Sequence, residues 1–114
     1  MGITPELWRK NIREALEWIA DEHHQREVWV PGTSYWDHAD EAICTLFDDD
    51  QFPLFIESPV IGLTGLQRSK AIEVRDAVDR LIQEEPGSWS GSWLVDDPRW
   101  IHIRKLAKEL LDLL

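Results

Sequence analysis

Three points of the sequence carry the signals that begin an α-helix, and these signals constrain the fold more than any other feature. Thr4-Pro5 and Asp97-Pro98 each place a capping side chain before a proline at the first helical position, where its missing N–H costs no hydrogen bond. Thr64 and Gln67 have the spacing of a capping box, in which each side chain satisfies the other residue's exposed amide. The chain therefore predicts helices that begin just after Thr4, Thr64 and Asp97.

Apolar residues recur at intervals of three and four after each of these starts, as expected for helices that bury one face. The first helix is predicted to reach about His24, and the third to end near Glu85, where Pro86-Gly87 stops it. Ser34 lies three residues before Asp37, which is the spacing of a cap, and periodic apolar residues follow it. A second helix is therefore predicted over about 35–47.

The fold class that follows is an all-α single domain covering residues 1–114, with four principal amphipathic helices packed in a bundle-like manner. A chain of this length has room for one hydrophobic core. Glu27–Val30 is predicted to be an extended linker that inserts Trp29 into that core. The segment from Phe52 to Leu63 is apolar, without clear period and interrupted by Pro53, so an irregular buried stretch or a short helix is expected there.

Composition is typical of a soluble, folded protein, with 43% hydrophobic residues, 30% charged residues and seven Trp. No apolar run is long enough for a membrane span, and Met1–Lys10 lacks the features of a signal peptide, so a cytoplasmic protein is expected. The single cysteine, Cys44, excludes an intrachain disulfide. Its apolar sequence neighbours predict a packed thiol rather than a nucleophile.

Most of the net negative charge lies in one segment. Val28–Gln67 contains seven acids and neither Lys nor Arg, whereas the whole chain has a net charge of −10. Such a charge repels the phosphates of nucleic acids and attracts a basic protein. Because aromatic residues are interleaved with these acids, the segment is predicted to contact a positively charged partner protein.

Helical spacing places several of these acids on the outer side of the second helix, so that they project outward together. The predicted partner-binding residues are Trp36, Asp37, Asp40, Glu41, Asp48, Asp49, Asp50 and Phe52. Two of them, Trp36 and Phe52, are predicted to be apolar anchors. Asp37 is alternatively a helix cap, and Asp48–Asp50 a solvated turn. The two Trp of the loop Ser88–Trp93 are interpreted either as anchors on the core or as interface residues.

The sequence contains no pattern that predicts chemistry. Neither a His-Glu-x-x-His nor a Cys-x-x-Cys motif is present, and no glycine-rich phosphate loop follows a strand. We therefore expect no catalytic residue, no metal site and no cofactor. The alternative hypothesis is a small helical metal-binding protein or enzyme that uses His23, His24 and His38 with nearby acidic residues.

Four short motifs together resemble the small all-helical immunity proteins of bacterial polymorphic toxin and contact-dependent growth inhibition systems. They are His24-Gln25 before Trp29, Leu46-Phe47-Asp48-Asp49, Ile61-Gly62 before a capped helix, and Asp97-Pro98-Arg99-Trp100. The resemblance implies a cytoplasmic protein that binds a cognate toxin domain, often a nuclease, and blocks its active site or substrate surface. It supplies no fixed set of contact residues, so those named above depend on charge and patterning.

Overall fold

The computed structural model describes residues 3–87, 89 and 92–114. These residues form an all-α fold, and none of them belongs to a β-strand. The described residues contain six α-helices, which are α1 (Pro5–Ala20), α2 (Glu22–His24), α3 (Ala39–Cys44), α4 (Phe52–Glu57), α5 (Gly65–Glu84) and α6 (Pro98–Leu113). Two π-helical segments, Gln25–Trp29 and Thr45–Asp49, continue α2 and α3, and a 3₁₀ turn, Ser92–Asp96, precedes α6.

The predicted helix starts are confirmed by the capping contacts. Thr4 Oγ1 accepts a hydrogen bond from the Leu7 amide at 3.1 Å, and the Asp97 side chain accepts one from the Arg99 amide at 2.9 Å. The box at Thr64 and Gln67 has both of its bonds, at 2.9 and 3.1 Å.

Helix α6 packs against both α1 and α5, so the three longest helices form the centre of the molecule. One hydrophobic core joins residues of α1, α3, α4, α5 and α6 with residues of the connecting segments. Trp100 of α6 is fully buried within it and packs against Trp29, with ring centroids 5.8 Å apart. The predicted insertion of Trp29 into the core is therefore confirmed.

The predicted end of the first helix and the predicted extended conformation of the linker after it are both wrong. Helix α1 stops at Ala20, because Asp21 leaves the helical conformation and its side chain accepts a hydrogen bond from the His24 amide at 3.0 Å. Buried Gln25 then donates from Nε2 to the carbonyl of Ile19 at 2.8 Å and so satisfies the end of α1. Glu27–Val30, predicted to be extended, lies largely within the π-helical segment Gln25–Trp29.

The second predicted helix begins later than expected and extends further. Helix α3 starts at Ala39, where the predicted start was Tyr35, and its helical path continues through the π-helical segment to Asp49. The middle apolar segment contains the short helix α4, followed by a loop over 58–64.

Candidate partner-binding surface

The helical run from Ala39 to Asp49 presents carboxylates on its outer side. Glu41 and Asp48 are exposed, as helical spacing predicts. Asp40 is partly exposed, and its carboxylate accepts a hydrogen bond from the Trp89 amide at 3.2–3.3 Å. Asp40 therefore also holds the chain that leads from α5 to α6, and buried Trp89 acts there as an anchor on the core.

Cys44 lies among these acids and is exposed, so the prediction of a packed thiol is wrong. Desolvation of the thiol by the protein atoms around it raises the pKa of Cys44, and the negative charges of Asp48, Asp40, Glu41 and Asp49 raise it further. The four carboxylates therefore lie close enough to one thiol to act on it together. We call Asp40, Glu41, Asp48 and Asp49 the acidic face.

A groove lies beside the acidic face, between α1 and the segment Thr45–Asp49. Its main cavity has a volume of about 370 Å³ and is lined by Asn11, Glu14, Ala15, Trp18, Thr45, Asp49 and Asp50. Partial burial raises the pKa of the Asp50 carboxyl, and the charges of Asp49 and Glu14 add to that effect. Three carboxylates from two helical segments therefore share this cavity.

A second cavity of about 180 Å³ continues the groove toward the start of α1. It shares Asn11, Asp49 and Asp50 with the first and is otherwise lined by Ile3, Trp8, Gln51 and Leu54. The indole N–H of Trp8 donates to the Asp50 carbonyl at 2.7 Å, which fixes the end of the π-helical segment against α1. We call the two cavities together the α1 groove.

Asp37, predicted to be a contact residue, is buried beneath this surface instead. Its Oδ1 accepts hydrogen bonds from the indole N–H groups of Trp18 and Trp29, each at 2.9 Å, and its Oδ2 lies 2.7 Å from Nε2 of His24. Burial alone would raise the pKa of the Asp37 carboxyl, but the bonds from Trp29, Trp18 and His24 outweigh it, and the pKa is lowered. Because its oxygens are occupied internally, Asp37 is not available to a partner.

The chain just before Asp37 carries the most exposed aromatic side chains. Tyr35 is 92% exposed and Trp36 is 58% exposed. The Trp36 ring packs against Trp18 with centroids 6.3 Å apart, and Trp18 lines the α1 groove. Ser34 Oγ accepts a hydrogen bond from the Asp37 amide at 3.0 Å, which holds this turn in place.

Phe52, the second predicted anchor, is fully buried, so that assignment is corrected. It packs edge-on against Phe47 at 5.6 Å and stacks with Phe55 at 6.5 Å. It begins α4 and lies in the core because Gln51 reverses the chain with a left-handed φ of 49°. The exposed apolar residue of α4 is Leu54.

A family model described as a domain of unknown function (DUF7945) matches residues 5–114. The chain belongs to this family. The match spans the fold from the first residue of α1 to the end of the chain. Neither the curated proteins nor the solved structures gave a match to this DUF7945 chain. In the described ranges, no helix has both the length and the apolar content to cross a membrane.

In this DUF7945 domain, the three histidines of the metal-binding or enzyme hypothesis each have separate surroundings. His23 pairs with Glu27 at 2.9 Å on the exposed side of the chain, and His24 contacts Asp37. His38 caps α3, since its Nδ1 accepts from the Glu41 amide at 3.4 Å while Nε2 lies 3.1 Å from the Tyr35 carbonyl. Within 3–87, 89 and 92–114, no three His, Cys, Asp or Glu residues are grouped as a metal ion would require.

The structure brings Asp49 and Asp50 together with three residues of α1 that sequence reasoning did not select, and Trp36 packs on one of those three, Trp18. Asn11, Glu14 and Trp18 line the same groove. Their separations of three and four residues put them on one side of a helix, next to the apolar stripe. That spacing is a signal of a shared face, but nothing local in the sequence indicates that the face meets Asp49.

Proposed function

We propose that this protein is an immunity protein, a stoichiometric inhibitor that binds a basic toxin domain and occludes its active site or substrate surface. It acts in the cytoplasm, has no catalytic role and uses no cofactor. The expected target is a nuclease, because a nuclease presents cations to the phosphates of its substrate and the same cations attract carboxylates.

The observation that supports this proposal best is the joining of charge and aromatic surface at one place. The acidic face and the α1 groove share Asp49, and exposed Trp36 packs against Trp18 at the end of that groove. Carboxylates accelerate the encounter with a basic partner, whereas buried aromatic contacts supply the slow dissociation of a tight complex. A surface with both features is suited to inhibition by tight binding.

The test is co-expression with the protein domains that the neighbouring genes encode, followed by titration of this protein with any such domain that proves toxic. We expect protection of growth and a one-to-one complex. An on-rate that falls by about tenfold or more between about 50 mM and 500 mM salt, with a smaller change in off-rate, would identify steering by charge. A neighbouring toxin that neither binds the protein nor is neutralised by it contradicts the proposal.

A matched pair of variants locates the interaction. Replacing Asp48, Asp49 and Asp50 together by Asn removes three charges at the proposed surface with little change of shape, so the on-rate should fall about tenfold or more. The control replaces Asp76, Asp79 and Asp112, which are exposed on α5 and α6, by Asn. Equal loss of binding in both variants would mean that net charge alone matters and that this surface is not the binding site.

The second candidate function is that of a small helical metal-binding protein or enzyme, and the hydrogen bond between His24 and Asp37 favours it. A carboxylate that orients one imidazole nitrogen leaves the other free to take a proton, which is the arrangement of a general base. The side chain of His24 is 35% exposed. Metal analysis of the purified protein, with thermal stability measured with and without added Zn²⁺, tests the metal-dependent form of this candidate, because a bound metal stabilises the fold.

A further inference from the structure

The α1 groove changes in chemical character along its length. At one end is the Trp18 ring with Trp36 packed on it, and in the centre are the carboxylates of Glu14, Asp49 and Asp50. At the other end lie Ile3, Trp8 and Leu54. Ile3 is 46% exposed and Leu54 is 59% exposed, so apolar surface meets water on the far side of the charged centre.

The charge in the centre is hardly compensated by the chain itself. Across the described ranges, neither Asp49 nor Asp50 forms an ion pair. Glu14 lies 3.6 Å from Lys10, but both side chains are more than half exposed, so water screens that contact. A cation brought into the groove by another molecule would therefore find acceptors on both walls.

We infer that the α1 groove binds a segment of the partner protein in which a Lys or Arg is flanked by apolar residues. The cation would lie between Glu14 and the two aspartates, with one apolar neighbour against Leu54 and the other against Trp18 and Trp36. Apolar contacts on both sides exclude water from the central ion pair and so strengthen it. This inference rests on the proposed function and names the feature of the partner that the groove recognises.

Three synthetic peptides separate the contributions of charge and apolar contact. The probe contains leucine and lysine, one control replaces every lysine by glutamate, and the other replaces every leucine by serine. We expect the leucine–lysine peptide to shift backbone amide NMR signals of α1 and of 45–54, and both controls to bind at least about tenfold more weakly. Equal binding of the serine–lysine peptide overturns the inference, as do shifts confined to α5 and α6.

Variants of the groove test the same point from the protein side. Asn11→Arg puts a cation among the three carboxylates, and Leu54→Ser removes an exposed apolar side chain without changing charge. Each variant should weaken the binding of the leucine–lysine peptide about tenfold or more, whereas Asp79→Asn on the exposed side of α5 should leave it unchanged. Leu54→Ser keeps the test valid if Asn11→Arg fails to fold, and unchanged affinity in a folded variant overturns the inference.

The same two variants distinguish this inference from the proposed function. If the wild type protects against a toxin and both folded variants protect and bind it equally well, the inhibitor proposal stands and the groove is not the contact site. If the leucine–lysine peptide binds as expected but no neighbouring toxin is neutralised, the recognition of an apolar and basic segment stands without that function. Self-association of the wild type through its own basic residues would also overturn the assignment of the α1 groove to a partner protein. It would be detected as a loss of peptide binding at high protein concentration.

Discussion

Trp18 donates its indole N–H to Oδ1 of Asp37 at 2.9 Å, and this bond joins a wall of the α1 groove to the turn that carries Trp36. The carboxylate is buried, and Trp29 and His24 bind it as well. It therefore acts as a structural centre beneath the proposed binding surface.

Asp37→Asn should lower the free energy of unfolding by about 1–3 kcal/mol, because a neutral amide oxygen is a weaker acceptor for the two indoles and the amide nitrogen faces His24. Urea denaturation followed by Trp fluorescence measures this effect. Asp79→Asn, which removes an exposed charge, should change stability by less than about 0.5 kcal/mol. Equal stability of the two variants would show that the buried bonds of Asp37 contribute nothing net.

The lowered pKa of Asp37 fixes the sign of a pH effect. A carboxyl whose pKa is lower in the folded than in the unfolded protein stabilises the fold above its ordinary value of 3.8. That contribution is lost as the pH falls through the folded pKa. The stability difference between wild type and Asp37→Asn should accordingly be largest near neutral pH and shrink below 3.8, as measured by urea denaturation across a pH series.

Asp50 should behave in the opposite way. Its raised pKa means that the folded protein holds the proton more tightly than the unfolded chain, so ionisation at neutral pH destabilises the fold. Asp50→Asn should therefore raise the melting temperature at pH 7, and the gain should disappear when the pH falls below the ordinary value of 3.8. A lower melting temperature of Asp50→Asn at neutral pH would indicate that the Asp50 carboxylate makes a stabilising contact.

The thiol of Cys44 reports the potential of the acidic face. Because its pKa is raised above the ordinary value of 9.0, alkylation by iodoacetamide at pH 8 should be slower than that of a free cysteine. Asp48→Asn should accelerate the reaction about two- to fivefold at low salt, and added salt should reduce that difference. Asp79→Asn is the distant control and should not change the alkylation rate. If Asp48→Asn leaves the rate unchanged as well, the charge of Asp48 does not reach the thiol.

Gln51 is a non-glycine residue with a left-handed φ of 49°, at the turn between Asp50 and α4. Gln51→Gly should raise the free energy of unfolding by about 0.5 kcal/mol, since relief of the strained conformation exceeds the entropy that glycine adds to the unfolded chain. Gln83→Gly in α5 should instead lower it by about 0.5 kcal/mol. Chemical denaturation of both variants distinguishes the two positions.

The parts of the fold that could be predicted from the sequence are those with local causes. Thr64 and Gln67 form their capping box, and Asp97 caps α6, because each contact joins residues close together in the chain. The helix expected from Tyr35 begins instead at Ala39. The local contact from the Asp37 amide to Ser34 Oγ does form, but His38 is extended and caps α3 itself. The Asp37 carboxylate is bound by Trp18, Trp29 and His24, three residues from elsewhere in the chain.

The candidate site was predictable only on one of its walls. Charge patterning selected Asp48, Asp49 and Asp50, which are neighbours in the sequence. Glu14 joins Asp49 and Asp50 in one cavity because α1 packs beside the π-helical segment, although Glu14 lies 35 and 36 positions from them in the sequence. The prediction that Phe52 is an exposed anchor is also wrong, because the burial of Phe52 depends on the reversal of the chain at Gln51. Tertiary packing, absent from any local pattern, decides both cases.

Asp40 accepts a hydrogen bond from the Trp89 amide, so the acidic residues of this region differ in how freely they can be substituted. Asp40 and the buried Asp37 hold the fold together, whereas Glu41, Asp48 and Asp49 project into solvent from a backbone that does not depend on their side chains. A descendant sequence could exchange those three for other residues and keep its stability. The same scaffold would then acquire a new partner by surface substitution alone, without passing through an unfolded intermediate sequence.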